Sequence, residues 1–315
     1  MADKREIKNI ACVGEVMIEL IVGVDGETSL GVAGDTFNTA VYMVKALSHA
    51  NVNVSYVTAL GSDPYSDRIL KAVTNYGLAT DYIEKRDGLM PGLYAINTDP
   101  SGERSFNYWR STSAARTLFA KPCNIELSRL NDFDLVYLSG ITMAILNPSV
   151  RSDVLNWAGS FCAAGGTLVY DSNHRPHLWE STEIAVEVNE AMWTKADIAL
   201  PSLDDEMLLF GDPDEEAVLA RLAASGAQNG ALKRGALGPR NLLGGTTYPD
   251  LPPVRGIIDS TAAGDSFNAG YLAAIILGHS DITAMHFGHK LASRVVQARG
   301  AIVDTQLEKM FLKKD

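Results

Sequence analysis

At 315 residues the chain can hold one large α/β domain or two medium ones, with a substantial buried core in either case. Hydrophobic residues at 46% and charged residues at 21% match ordinary globular proteins and exclude a disordered or low-complexity chain. A formal net charge of -11 excludes a broad surface for nucleic acid or anionic membrane, because clustered Lys and Arg gather such partners, so an anionic ligand has to be met locally.

Residues Ile7 to Gly14 read as a short buried strand, and Asp35 to Leu47 as a helix introduced by the small residues Ala33 and Gly34. The same alternation returns at Val54 to Gly61 followed by Pro64 to Tyr76, and at Leu135 to Gly140 followed by Pro148 to Ala164. It returns again at Thr167 to Asp171, then at Ile198 to Pro201 with a helix after Leu203. Repeated strand and helix units predict a mostly parallel sheet covered on both faces.

Two stretches break that rhythm. Met17 to Val32, and a segment spanning about 89–112, carry half-polar strand patterns, the second around a Pro100-Ser101-Gly102 turn that suggests a hairpin. Inserted into an α/β body, such strands predict a small β-sheet lid over a ligand site. No Gly/Ser/Pro-rich linker and no internal repeat divides the chain, so residues 1–315 are expected to form one domain with this lid, ending in a fraying amphipathic tail from Leu307 to Asp315. Cys12, Cys123 and Cys162 lack CxxC spacing and read as reduced thiols; the chain opens without a signal-peptide apolar core, and its longest apolar run, Ala269 to Leu277, is too short to span a bilayer. A cytoplasmic protein is the expectation.

The densest chemical signal is Asp259-Ser260-Thr261-Ala262-Ala263-Gly264-Asp265-Ser266, leading into the apolar helical run from Asn268. Small residues at 262–264 let backbone approach a ligand, and the amides of a helix start favour phosphate. An acid at the mouth of such an anion hole makes sense if Asp265 accepts a proton from an attacking hydroxyl; equally, Asp265 can cap the helix while the small residues allow tight packing. Asp35 and Asn38, on the first turn after Gly34, can hydrogen-bond vicinal hydroxyls, or Asp35 can again serve as a cap. Asp171-Ser172-Asn173-His174-Arg175 falls at a strand's C-terminal end, where open α/β sheets place ligands, so Arg175 can reach a substrate anion or sit in a surface ion pair. Asp204, Asp205 and Glu206 can hold hydrated magnesium or simply favour a helix start, and Lys233 with Gly235 and Gly238 can accompany phosphates or close a turn. His286 and His289 lack a carboxylate or thiol set to complete a metal site. No GxGxxG, Walker phosphate loop or protein-kinase signature is present, which speaks against a dinucleotide-dependent oxidoreductase.

Gly34-Asp35 with Asn38, and DSTAAGDSFNAGYLA near the C-terminus, resemble the two signatures of the ribokinase-like (PfkB) sugar kinases. Between them GLYAINTDPSGERSFNYWRSTSAAR, YDSNHRPHLW, LPSLDDEMLLFGD and LKRGALG resemble the branch that acts on 2-keto-3-deoxygluconate, over about residues 8–302. The resemblance implies a three-layer α/β/α sandwich with a β-sheet lid, and magnesium ATP as phosphoryl donor to the terminal hydroxyl of an open-chain keto-deoxy sugar acid. It implies Asp265 as base, with Ala262, Ala263 and Gly264 as anion hole. Gly34, Asp35, Asn38, Tyr94, Tyr108, Arg110 and Arg175 would line the acceptor site, with Arg175 favoured over Arg110 for the carboxylate. Thr261, Gly264, Lys233, Gly235, Gly238 and His289 would line the nucleotide site, and Asp205 or Glu206 would bind magnesium through water. The family's paired glycines appear here as Ala33-Gly34, and its Asn-x-x-Glu magnesium motif as Ser202-Leu203-Asp204-Asp205. A fructokinase or other sugar kinase is the near rival and a non-catalytic sugar or nucleotide sensor the distant one; a homo-oligomer paired through lid strands is expected.

Overall fold

The computed structural model describes residues 4–23, 25–98, 104–243, 251 and 254–304. The Pro100-Ser101-Gly102 turn and the Leu307–Asp315 tail lie outside these described residues. In chain order the elements are β1 (Asn9–Val13), β2 (Met17–Val22), β3 (Thr28–Ala33), α1 (Asp35–Ala46), β4 (Asn53–Leu60), α2 (Pro64–Asn75), β5 (Ile83–Lys85), β6 (Leu93–Thr98), β7 (Arg104–Trp109), β8 (Leu135–Ser139), α3 (Gly140–Ile145), α4 (Pro148–Ala163), β9 (Thr167–Asp171), α5 (Thr182–Trp193), β10 (Ile198–Ala199), α6 (Leu203–Phe210), α7 (Glu215–Ser225), β11 (Ala231–Leu232), β12 (Arg240–Asn241), α8 (Ala263–Ile276) and α9 (Asp281–Val295).

Six parallel strands run in the order β10-β9-β8-β1-β4-β5. Alternate side chains of β1 serve opposite layers, as the two-residue period of a strand requires. Ile10 and Cys12 pack with Phe37 and Val41 of α1, Tyr271 of α8 and Leu291 of α9. Ala11 and Val13 pack with Val154 and Phe161 of α4 and with Met192 and Trp193 of α5. Each fully buried Ile, Val or Phe in these layers contributes about 1.5–3 kcal/mol.

Local chemistry sets the element ends. Asp63 accepts hydrogen bonds from the Tyr65 and Ser66 amides with Pro64 at the first position of α2, and Asn147 caps α4 ahead of Pro148 in the same manner. Strand β10 stops at Ala199, shorter than the predicted Ile198–Pro201, because Pro201 has no amide to continue the ladder. The antiparallel pair β11-β12 extends this edge through isolated bridges from Ala199 to Gly230 and from Ser202 to Lys233.

The second sheet is separate, four-stranded and mixed, in the order β3-β2-β6-β7. One face buries Met17, Ala33, Tyr94 and Ile96. The other leaves Leu30 and Trp109 exposed. No helix among the described residues is long and apolar enough to cross a membrane.

Candidate functional site

The loops leaving the C-terminal ends of the parallel strands enclose a cavity of about 650 Å³. Strand order dictates its place: β1 is followed by β4 on one side while β8 joins on the other, and open α/β sheets bind ligands at such a reversal. Asp171 closes β9, Lys233 follows β11, and Tyr94, Phe106 and Tyr108 reach in from the second sheet.

The first turns of α1 and α8 meet at this cavity. Ala262, the residue before α8, adopts the left-handed conformation with φ 60°, a strained setting for a residue with a side chain. No side chain caps the turn that follows, and the Ala263 amide donates to the Ser260 carbonyl at 3.2 Å. The amides of Gly264 and Asp265 are then the ones available to an anion at the positive end of the helix dipole. A methyl group on Gly264 would meet nothing within 4 Å except the Lys233 ammonium at 3.8 Å, so the space above this turn is open. Gly34 is required by packing: a Cβ there would lie 2.2 Å from the Glu15 carbonyl oxygen, where the start of α1 crosses the chain leaving β1.

Asp265 accepts a hydrogen bond from Asn38 Nδ2 at 2.8 Å. Withdrawal from water, and then the charge of Asp35, push its carboxyl up to about 8 against the opposing Asn38 hydrogen bond. Asp35 accepts from Ser139 Oγ at 2.5 Å and from Asn173 Nδ2 at 3.1 Å, and loss of water raises its carboxyl as well. Asp205 is raised for the same reason.

The four cations in the cavity wall differ in how far they are already neutralised. Arg110 forms a buried ion pair with Glu15. Lys233 pairs with Asp171 at 2.8 Å, and Arg234 pairs with Glu215 at 2.9 Å. Arg175 has only a 3.8 Å ion pair with Asp205, and its side chain is 45% exposed. Among the described residues lining the cavity it is the guanidinium most available to a new carboxylate.

Seventeen of the residues singled out from the sequence line this one cavity: Gly34, Asp35, Asn38, Tyr94, Tyr108, Arg110, Arg175, Asp205, Lys233, Gly235, Gly238, Thr261, Ala262, Ala263, Gly264, Asp265 and His289. Glu206 is the correction. It is fully buried and turned to Arg221 Nη2 at 2.9 Å, where loss of water raises its carboxyl to about 7, so it does not face the cavity as a metal ligand. Among the described residues no group of three or more His, Cys, Asp or Glu is arranged to hold a metal ion by itself. Asp205 is the acid of that pair whose carboxylate does reach the cavity, which fits a magnesium ion held mainly by water and phosphate oxygens. Tyr94 presents its ring, because its hydroxyl donates to Glu19; the ring stacks on Tyr108, with centroids 5.7 Å apart.

Sequence reading missed Glu15, Tyr137, Ser139, His177 and Asn268. Ser139 and Glu15 were findable as residues at or just past the C-terminal ends of predicted parallel strands. Asn268 was findable one helical turn after Gly264 on the same helix.

The chain matches the family model described as pfkB family carbohydrate kinase over residues 7–308. It belongs to that family. This carbohydrate kinase is 41% identical over 301 residues to 2-dehydro-3-deoxygluconokinase of Dickeya dadantii (strain 3937), covering 94% of this chain and 97% of the relative. It is also 41% identical over 302 residues to the Escherichia coli (strain K12) protein of the same name, with the same coverage. Among solved structures, a double-mutant fructokinase from Vibrio cholerae O395 with fructose, ADP and potassium ion bound matches with a TM-score of 0.81, covering 99% of this chain and 100% of that one. At 19% identity that likeness is one of fold, and it agrees with the expected ribokinase-like α/β sandwich and separate small sheet.

Proposed function

We propose that this carbohydrate kinase transfers the γ-phosphoryl group of ATP to the terminal hydroxyl of 2-keto-3-deoxygluconate (2-dehydro-3-deoxygluconate), giving 2-dehydro-3-deoxy-6-phosphogluconate. The observation that carries the proposal is Asp265, a carboxyl held by Asn38 on an uncapped helix turn inside a cavity that also contains the loosely paired Arg175. The 41% identity to 2-dehydro-3-deoxygluconokinases supports the acceptor, and the ADP in the fructokinase structure supports the nucleotide.

In this mechanism the acceptor oxygen forms a bond to the γ-phosphorus while the bond from that phosphorus to the β,γ-bridging oxygen breaks. ADP leaves with the electron pair, and the hydroxyl proton passes to the ionised Asp265 carboxylate. The amides of Gly264 and Asp265 stabilise charge on the transferring oxygens. Arg175 binds the sugar-acid carboxylate, which a neutral sugar lacks. Magnesium, when bound near Asp205, supplies charge neutralisation on the phosphates. The stacked Tyr94 and Tyr108 of the lid cover the acceptor and exclude water that would otherwise take the phosphoryl group. The exposed apolar face of the same sheet is proposed to pair in a homo-oligomer.

The test is ADP release by the purified protein with magnesium ATP and 2-keto-3-deoxygluconate, gluconate, fructose or ribose at equal concentrations. Strong preference for the keto-deoxy acid is the expected outcome. Preference for fructose or ribose would replace the acceptor, and no turnover of any would favour an untested acceptor or a sensor.

A further inference from the structure

Resting on the kinase chemistry just proposed, we infer that Lys233 is a catalytic residue whose ammonium contacts the phosphoryl group in transit, and that Asp171, Asn268 and Tyr137 are the positioning residues that aim it. The backbone of Lys233 is fixed on both sides: its amide donates to the Pro201 carbonyl at 2.8 Å, and its carbonyl accepts from the Leu203 amide at 2.8 Å. Its ammonium has three protons. One serves Asp171 Oδ1 at 2.8 Å and one serves Asn268 Oδ1 at 3.2 Å. The third remains for a ligand in the cavity that Lys233 lines.

The direction is given by the glycines. The Lys233 ammonium lies 3.8 Å from where a Cβ on Gly264 would stand, whereas a Cβ on Gly235 would meet nothing within 4 Å. The charge therefore sits at the α8 turn proposed to receive the transferring group, away from the Gly235 turn. Asn268 lies one turn along α8 from Gly264, so the lysine is clamped to the helix whose amides share its task.

Asp171 is an anchor with no remaining capacity. Its Oδ1 accepts from Lys233 and from the Asn173 amide at 3.1 Å, and its Oδ2 accepts from Asn268 Nδ2 at 2.7 Å and from the Tyr137 hydroxyl at 3.3 Å. With four donors satisfied and 2% exposure it cannot also bind sugar or metal. Asn268 closes the network by donating to the Tyr137 oxygen at 2.9 Å, and both side chains are essentially unexposed. Such a saturated network fixes the lysine before substrate arrives, which is the form of preorganisation that favours a transition state. During transfer Lys233 donates a hydrogen bond to a non-bridging oxygen while the γ-phosphorus passes from ATP to the acceptor and ADP leaves.

The experiment compares Lys233→Ala with wild type on whichever of the four acceptors, or water, takes the phosphoryl group, so a wrong acceptor shows in the wild-type panel and leaves the lysine comparison intact. The expected result is a loss of kcat of about 10²-fold, the size of removing one oxyanion donor, with the KM for ATP changed less than about threefold. Ethylammonium should restore at least about tenfold of that loss, and ethanol of similar size should not. Lys233→Ala/Asp171→Asn should lose the rescue, because the cavity then lacks the anion that seats the added cation. Asn268→Ala, which keeps the lysine, should lower kcat by several-fold without raising the KM for ATP. Near-wild-type kcat in Lys233→Ala, a loss confined to the KM for ATP, or rescue that survives removal of Asp171 would each overturn the inference. A melting curve on every variant separates these results from unfolding.

Discussion

The central sheet and the lid sheet spend their residues differently. Every residue of β8 and β9 is buried, sandwiched between helices on both faces. In the lid, β6 is buried from Tyr94 to Ile96, but β7 next to it is exposed from Ser105 to Trp109. The body is thus stabilised by its own layers, whereas β7 of the lid leaves Phe106 and Tyr108 uncovered toward the cavity and Trp109 uncovered on the opposite face, to be covered by a ligand and by a second copy respectively. Substitutions that reach the body through Asp265 or Arg110 should therefore register in turnover or stability, and substitutions in the lid in affinity or assembly.

The largest effect expected is on the body side. Asp265→Asn should lower kcat by about 10² to 10⁴-fold, the usual range for removing a general base, while ATP binding by calorimetry stays within a few-fold. Near-normal turnover would remove Asp265 as the base. Asparagine keeps the hydrogen-bonding shape beside Asn38, so the variant should remain folded.

The two arginines divide the comparison more finely. Arg110→Met would strand Glu15, 1% exposed, without its ion-pair partner, and should cost about 3–5 kcal/mol in denaturant unfolding. Arg175→Met removes a half-exposed, loosely paired group and should leave stability nearly unchanged. Its effect should be a 10- to 100-fold rise in KM for the sugar acid, from about 1.5–3 kcal/mol of charge-assisted hydrogen bonding, with no penalty for neutral sugars. The reverse pattern would assign the carboxylate to Arg110.

A smaller and graded effect follows from pH. Because Asp265 in the free enzyme is raised to about 8, kcat/KM should climb about tenfold per pH unit below 7 and level above about 8.5. Asn38 stabilises the ionised form, so Asn38→Ala should move that limb to higher pH. The same carboxyl makes stability pH-dependent: its folded value exceeds the ordinary 3.8, so the folded chain holds a proton that the unfolded chain has released. Its contribution is full below about pH 4 and is lost as pH rises through 8. Asp265→Asn escapes this loss, so its melting temperature should gain on wild type from pH 5 to 8; a constant difference would refute the raised carboxyl.

The contrast between body and lid also explains what the sequence made legible. Strands such as Leu135–Ser139 and Thr167–Asp171 announce themselves as apolar runs because both faces are covered. The small residues around Gly264, and the acids Asp35 and Asp265, were legible because a helix start needs few residue types to meet an anion. Which partner each charged side chain takes was not legible. Asp205 and Glu206 are neighbours with equivalent chemistry, yet one faces the cavity and the other is turned to Arg221, fifteen residues away, by the direction of a helix face. The pairing of Arg110 with Glu15, and of Lys233 with Asp171, joins segments 95 and 62 residues apart, which no local pattern encodes.

The smallest effect on stability should come from the lid's outer face. Leu30 is 39% exposed and Trp109 is 61% exposed, so replacing either with Ser removes little buried area and should change unfolding by less than about 1 kcal/mol. If that face pairs between copies, the same double substitution should convert an oligomer to monomers by light scattering while the monomer melts as before. A monomeric wild type, or an oligomer that survives the substitution, would leave that outer face without a partner chain. Phe106 and Tyr108 stand on the opposite face, across from Ile96 and Tyr94, and line the cavity. Phe106→Ser should therefore raise the KM for the sugar acid with kcat unchanged, because a lid residue that touches the bound acceptor without facing the transferring group adds uniform binding.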